Sequence, residues 1–281
     1  AMTRDRSGIP VLGCVPMLKG IDIPEEDEAN IRATGRPNAP IKIAVAALPH
    51  GSNLTDLDPF VADDDVELCV LGSGQELAAR NWDALIIPGS KSTVSDLAWL
   101  ASTGLAHAIR EHARAGGTVV GICGGFQMLG RSIEDPLCIE SSTGPVPGLD
   151  LIPVATSMAL EKTLRQGCAT ILGDASGLRP RGYEIHHGKT VALSEAAVPF
   201  MRSEAGDIIA YRHGQAWGCY LHGLFDDDAT RAWFLNGIRV ARGMAPRSPT
   251  RYRSLDERLQ NLADAVRPHI DMNTLYKDLG L

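Results

Sequence analysis

Gly121-Ile122-Cys123-Gly124-Gly125 sets a cysteine between glycines, after the apolar run Thr118-Val119-Val120 and before the helix-compatible run Phe126-Gln127-Met128-Leu129. This is the thiol form of a nucleophile elbow, a sharp strand-to-helix turn that lifts a reactive side chain above a sheet. Such a turn forces unusual backbone angles on the nucleophile, and small neighbours let the following helix pack close beneath it. A sulfur at that place faces the unpaired N–H groups of the helix start, which favour an anion. The same residues also fit a buried cysteine beside a Gly-rich turn, since free cysteine is among the most buried residue types.

A thiolate nucleophile needs a proton carrier, usually a histidine brought near by the fold. Of the eight histidines, His222 follows the apolar run Trp217-Gly218-Cys219-Tyr220-Leu221 and precedes Gly223. That puts it at a strand end, where the sites of open α/β sheets gather. His186 and His187, in Gly182-Tyr183-Glu184-Ile185-His186-His187-Gly188, form a second cluster. His50, His107, His112, His213 and His269 read as surface or packing histidines. Spacing alone leaves His222 open between catalytic base and structural histidine. Cys219 and His222 form a C-x-x-H pair, but no second pair has zinc spacing, so no metal site is expected.

The elements that must position these residues read as an α/β fold. Ile41-Lys42-Ile43-Ala44-Val45-Ala46, Glu67-Leu68-Cys69-Val70-Leu71, a third run around Ala84-Leu85-Ile86-Ile87 and Thr118–Ile122 are expected strands. Helical patterns over residues 95–100 and 105–115 lie between them. Strands alternating with helices at these lengths imply a mainly parallel sheet flanked by helices. Residues 150–221 carry shorter expected strands, including 207–212 and 216–221, which suggest an antiparallel extension. Ser254-Leu255-Asp256-Glu257 is a capping box opening a helix with the apolar stripe Leu255, Leu259, Leu262, Ala263, Val266. The first forty residues differ. Ile9 to Pro16 reads as a buried strand, and residues 22–40 are acidic and bear proline and glycine, as a linker does.

The chain's 281 residues carry 27 basic and 34 acidic side chains, a net charge of −7, with no long basic block. Nucleic-acid binding is therefore not its expected task. No apolar stretch reaches the roughly 18–20 residues that span a bilayer, and no signal-peptide core follows the N-terminus. The six cysteines are scattered, without a disulfide framework, which fits a reducing cytoplasm.

Residues 121–130 resemble the nucleophile segment of class I glutamine amidotransferase domains. Three further segments narrow the resemblance: Pro88-Gly89-Ser90-Lys91-Ser92-Thr93 followed by Asp96-Leu97, Gly182-Tyr183-Glu184-Ile185-His186, and Tyr220-Leu221-His222-Gly223-Leu224-Phe225-Asp226. These are similar to segments of the cobyric acid synthase family, and the likeness runs from Val11 to Gly280. The resemblance implies a flavodoxin-like amidotransferase domain over residues 41–281, with residues 1–40 the tail of an ATP-dependent synthetase domain plus a linker. It implies L-glutamine as substrate and ammonia supplied for amidation of the corrinoid cobyrinic acid a,c-diamide. ATP and Mg²⁺ would act in the synthetase domain, with no cofactor in this chain. Cys123 would be the nucleophile and His222 its acid–base partner. Gly89, Ser90 and Gly124 would supply oxyanion N–H groups. Gln127 would help bind glutamine, or else lie on the helix surface. Many class I domains carry glutamate two residues after the histidine; here that position is Leu224, so Glu184, Asp226 or a partner domain is expected to orient His222.

Two other readings follow from the same segments: the glutaminase subunit of a cell-wall amidating complex, and a non-catalytic amidotransferase-like module. A phosphate-binding loop does not fit. The G-x-x-x-x-G-K-[ST] pattern needs glycine where Ser90 and Leu85 stand.

Overall fold

Ile41, Ile43, Leu85, Ile86, Ile87, Val119 and Val120 are all fully buried. Such continuous burial, rather than alternation, marks strands covered on both faces. In the computed structural model, which describes residues 6, 8–18, 36, 38–142 and 144–280, these residues form the centre of a mixed sheet. Its strands are β1 (Ile41–Ala46), β3 (Val66–Leu71), β4 (Ala84–Ile87), β6 (Thr118–Ile122), β7 (Ser132–Glu134), β8 (Val146–Pro147), β9 (Val154–Ile171), β10 (Arg181–Ala192), β11 (Val198–Ser203), β12 (Ile208–His213) and β13 (Ala216–Cys219). Two short strands, β2 (Gly51–Ser52) and β5 (Gly89–Ser90), pair separately.

The order β3-β1-β4-β6-β13-β12-β11-β9-β7-β8, with β10 on β9, joins a parallel part to an antiparallel one. β3, β1, β4, β6 and β13 run parallel. From β13 to β9 the neighbours are antiparallel. Parallel neighbours need crossovers, and α1 (Gly74–Ala78), α2 (Thr93–Ser102), α3 (Leu105–Arg114) and α4 (Gly124–Leu129) lie in the connections; α5 (Asp228–Ala241) follows β13. Because β1, β4, β6 and β13 point the same way, the segments leaving their carboxyl ends meet at one edge. Those segments hold residues 47–56, Gly89-Ser90, Cys123 and His222.

Two expectations need correction. The region 150–221 is not built only of short strands: β9 has 18 residues and makes a long ribbon with the 12-residue β10. The run Ile9 to Pro16 is not a buried strand. Ile9, Val11 and Val15 are exposed, and the segment makes a single antiparallel bridge, Gly13 to Ile270, with Asp271 N–H bonding Leu12 O at 2.6 Å. An apolar run without a second strand to complete its ladder gains nothing from strand pairing beyond that bridge. The acidic residues 22–28 lie outside the described residues.

By compactness the chain divides into two units, Ala1–Glu26 with Arg253–Leu281 and Asp27–Tyr252. The first contains α6 (Leu255–Val266) and α7 (Met272–Leu279), and α6 starts at the Ser254–Glu257 capping box with both reciprocal bonds present. The second contains the sheet.

Candidate active site

Cys123 lies between β6 and α4 with φ 51° and ψ −107°. A non-glycine residue rarely adopts a positive φ, and such strain persists only where the surroundings enforce it. Here the enforcement is visible on both sides. Cys123 N–H is held by Cys219 O at 2.8 Å, and Gln127 N–H returns to Cys123 O at 3.1 Å. Beneath the turn, a Cβ on Gly125 would stand 2.0 Å from Ile87 O, so only glycine lets α4 seat against the end of β4. The sulfur is nearly buried and turned toward Ile185 O at 3.7 Å.

His222 is fully buried at the end of β13. Its backbone exchanges hydrogen bonds with Tyr183 at 2.8 and 3.1 Å, and the Tyr183 ring stacks on the imidazole with centroids 5.1 Å apart. Nδ1 meets Asp56 Oδ2 at 2.7 Å, while Asp56 Oδ1 accepts from Gly223 N–H at 2.7 Å. Asp56 therefore fixes the proton on Nδ1 and leaves Nε2 for chemistry. Nε2 is buried with no hydrogen-bond partner among the described residues. Burial alone would lower the imidazole pKa, but Asp56 and the neighbouring Cys123 outweigh it and raise the value to about 10. The pair thus favours an imidazolium beside the sulfur.

The carboxylate bonded to His222 Nδ1 is Asp56, not Glu184 or Asp226. Glu184 instead takes Arg165 Nε at 2.6 Å and stands 3.4 Å from His186 Nε2. Burial works to raise its pKa, yet His186 and Arg165 leave it below the usual carboxylate value. Asp226 belongs to the short 3-10 turn Leu224–Asp226, where its N–H bonds Gly223 O. Neither carboxylate is on His222 Nδ1. Asp56 arrives from a 3-10 helix, Leu54–Ala62, which sequence periodicity does not reveal. The available signal was an acidic residue just past the end of β1, on the edge where the other pieces meet.

What holds that helix in place is a pair of buried arginines on α5. Arg231 Nε bonds Asp63 Oδ2 at 2.9 Å and its Nη1 bonds Phe225 O at 2.7 Å. Arg239 grips Asp65 with Nη2 and Nε, at 2.7 and 2.9 Å. Phe60 packs on Phe225 at 4.7 Å between centroids. The arm that carries Asp56 is thus tied to the segment that follows His222.

Gly89 and Ser90 close the site from β4. Lys91 N–H bonds His50 O at 2.9 Å, so by the alternation of an antiparallel ladder Ser90 N–H points away from β2. Its nitrogen lies close to Gly124: a Cβ there would stand 2.9 Å from Ser90 N. A Cβ on Gly89 would lie 3.2 Å from His222 Cε1, which places the loop directly over the histidine. Gln127 is not on the helix surface. It is buried, with Oε1 accepting from Thr93 Oγ1 at 3.1 Å and Nε2 donating to the Tyr220 hydroxyl at 3.3 Å.

The start of α2 does not suit a phosphate, as the sequence pattern also indicated. Glu140 Oε2 already accepts Thr93 N–H at 2.7 Å, and the buried Asp96 carboxylate lies under the same loop. Two carboxylates would repel the anion. Among the described residues no group of three or more His, Cys, Asp or Glu is placed to hold a metal ion. No helix among them is long and apolar enough to cross a membrane.

Comparison with known proteins adds the lineage. Residues 42–230 match the family model described as CobB/CobQ-like glutamine amidotransferase domain. The chain is 42% identical over 283 residues to the cobyric acid synthase of Synechococcus elongatus, covering 98% of this chain and 57% of that protein. It is 40% identical over 321 residues to the cobyric acid synthase of Nitratidesulfovibrio vulgaris, covering 98% and 59%. The chain therefore spans a little over half the length of these relatives. A solved glutamine amidotransferase superposes with a TM-score of 0.53 at 15% identity, covering 70% of this chain and 97% of that one, a likeness of fold.

Proposed function

The chain belongs to the family of CobB/CobQ-like glutamine amidotransferase domains, and from that premise we propose that Cys123, His222 and Asp56 act together to release ammonia from glutamine. The observation that carries this reading is the 2.7 Å bond from His222 Nδ1 to Asp56, which leaves a buried Nε2 without a partner among the described residues, with Cys123 a close neighbour of the ring. The Cys123 thiolate adds to the side-chain carboxamide carbon, forming the C–S bond. The carbonyl oxygen takes the negative charge between the N–H groups of Ser90 and Gly124. As the tetrahedral adduct collapses, the C–N bond breaks and His222 Nε2 gives its proton to the departing nitrogen. Water then adds to the thioester, losing a proton to Nε2, and the C–S bond breaks to yield glutamate. Asp56 holds the imidazolium through both halves. Gln127, tied to Thr93 and Tyr220, stiffens the wall behind the sulfur.

The destination of the ammonia follows from the relatives. Their names, cobyric acid synthase, support amidation of corrinoid carboxylates, with L-glutamine as nitrogen donor. We assign the ATP- and Mg²⁺-dependent activation to a synthetase portion, a reading supported by the greater length of the relatives; the loop at Ser90 and Thr93, lined by carboxylates, does not suit a phosphate.

Replacing His222 by alanine tests the reading. Glutamine hydrolysis should fall by roughly 10²–10⁴-fold, the range for loss of an acid–base group. Near-normal turnover in that variant would contradict it. The chain alone, given ATP and corrinoid, should amidate nothing until a synthetase portion is added in trans.

A further inference from the structure

Asp96 is fully buried on the first turn of α2 and bonds no arginine or lysine. Among the described residues its carboxylate is bonded by Ser90 on β5 and by His50, the residue just before β2. Its Oδ2 accepts from the Ser90 hydroxyl at 2.6 Å. Its Oδ1 accepts from His50 Nδ1 at 2.8 Å and from His50 N–H at 3.2 Å. The Ser90 oxygen in turn accepts Ser92 N–H at 3.0 Å. The hydroxyl is therefore used on both its donor and its acceptor side, within the loop. These bonds keep its side chain within the loop, while its backbone nitrogen lies beside Gly124.

Building on the proposed glutaminase reading, we infer that Asp96 is a positioning residue for the oxyanion site: it locks Ser90 so that the Ser90 N–H, paired with Gly124 N–H, stands ready for the developing charge. The physical need is clear. Pro88-Gly89-Ser90 is a turn leaving a strand, and an oxyanion donor helps the transition state only if it requires no reorganisation when charge appears. A buried carboxylate accepting a hydroxyl and a backbone N–H is a strong anchor, because charge-assisted hydrogen bonds are roughly twice as strong as neutral ones. The order β2-β5-α2 gives Asp96 both walls of the loop at once.

The test separates oxyanion binding from sulfur reactivity. Iodoacetamide alkylates Cys123 by displacing iodide and forms no oxyanion. Glutamate γ-semialdehyde adds to the same sulfur without a leaving group, and places an oxygen where the oxyanion would lie. Asp96→Asn should lower glutamine turnover about 10- to 100-fold with KM changed less than about threefold, less than outright loss of an oxyanion donor. Its alkylation rate should stay within about twofold of wild type, while the aldehyde protects Cys123 about 10- to 100-fold more weakly. Ser90→Ala should give the same pattern, and the double variant should be no worse than either single one. Should Asp96→Asn fail to fold, Ser90→Ala, which removes one oxygen, carries the test. Unchanged aldehyde protection in the variants, a parallel fall in alkylation, or additive losses would overturn the inference. Wild-type protein that neither hydrolyses glutamine nor is protected by the aldehyde would overturn the glutaminase reading itself, and the inference with it.

Discussion

His222 and Asp56 stand 166 positions apart in the chain and meet through a 2.7 Å hydrogen bond inside the protein. One leaves the end of β13, the other the 3-10 helix that follows β1 and β2. In the proposed mechanism this meeting gives Asp56 the job usually given to a neighbouring glutamate. The catalytic proposal therefore depends on the whole parallel sheet and not on the elbow alone.

Removing that carboxylate should change the pH profile in a defined direction. The pair favours the protonated ring, so the His222 pKa is raised to about 10 and activity that needs imidazolium should persist until the pH passes that value. In Asp56→Asn the proton is held less tightly, the alkaline limb moves to lower pH, and kcat falls by about 10²-fold or more. Stability follows the same sign. The contribution of a raised histidine pKa is complete below about 6.5 and is lost as pH rises through about 10. Urea unfolding from pH 6 to 10 should show this decline in wild type and a smaller one in Asp56→Asn.

Labelling should single out Cys123. A glutamine-like electrophile should modify it well before the other five cysteines, because it alone sits at a helix start on an elbow. Burial pushes the thiols of Cys219 and Cys69 up, away from reactivity. Peptide mapping after brief labelling reads the outcome; equal labelling of Cys69, Cys138 and Cys123 would contradict it.

The arm carrying Asp56 should depend on α5. Arg231→Met leaves Asp63 buried without its 2.9 Å partner, and breaking a buried ion pair from one side costs about 3–5 kcal/mol. Denaturant midpoints should drop accordingly. Adding Asp63→Asn should restore part of the loss, since it removes the stranded charge.

Two glycines should respond with opposite sign. Gly125→Ala forces a methyl against Ile87 O and should destabilise the chain by about 1–3 kcal/mol or more. Gly237 lies inside α5 with no atom within 4 Å of an added Cβ, so Gly237→Ala should stabilise by about 0.5–1 kcal/mol. Thermal melts of the two variants check both.

Much of the central sheet was legible because β4 is an unbroken apolar run and β1 and β6 are nearly so, broken only by Lys42 and by the Thr118 start. The capping box at Ser254 was equally direct, since its two bonds are local. The long β9–β10 ribbon was not. Its middle, with Leu160, Glu161 and Lys162 exposed, lacks the clean alternation of a half-buried strand, and the pairing is irregular between His186 and Gly188. Asp56 escaped for a different reason. A 3-10 helix has no apolar period of its own to announce it, and a partner 166 residues away leaves no local spacing to read. Glu184 stood closer to the expected motifs, but Arg165 and His186 had claimed it.

The most direct test of the central claim is to mix the protein with glutamine, quench in acid within the first turnover, and weigh the Cys123 peptide. A γ-glutamyl thioester on Cys123 in the wild-type protein, absent in Cys123→Ser, is the predicted result. Ammonia released at an undiminished rate by Cys123→Ser, or an acyl group carried on another cysteine, would contradict it.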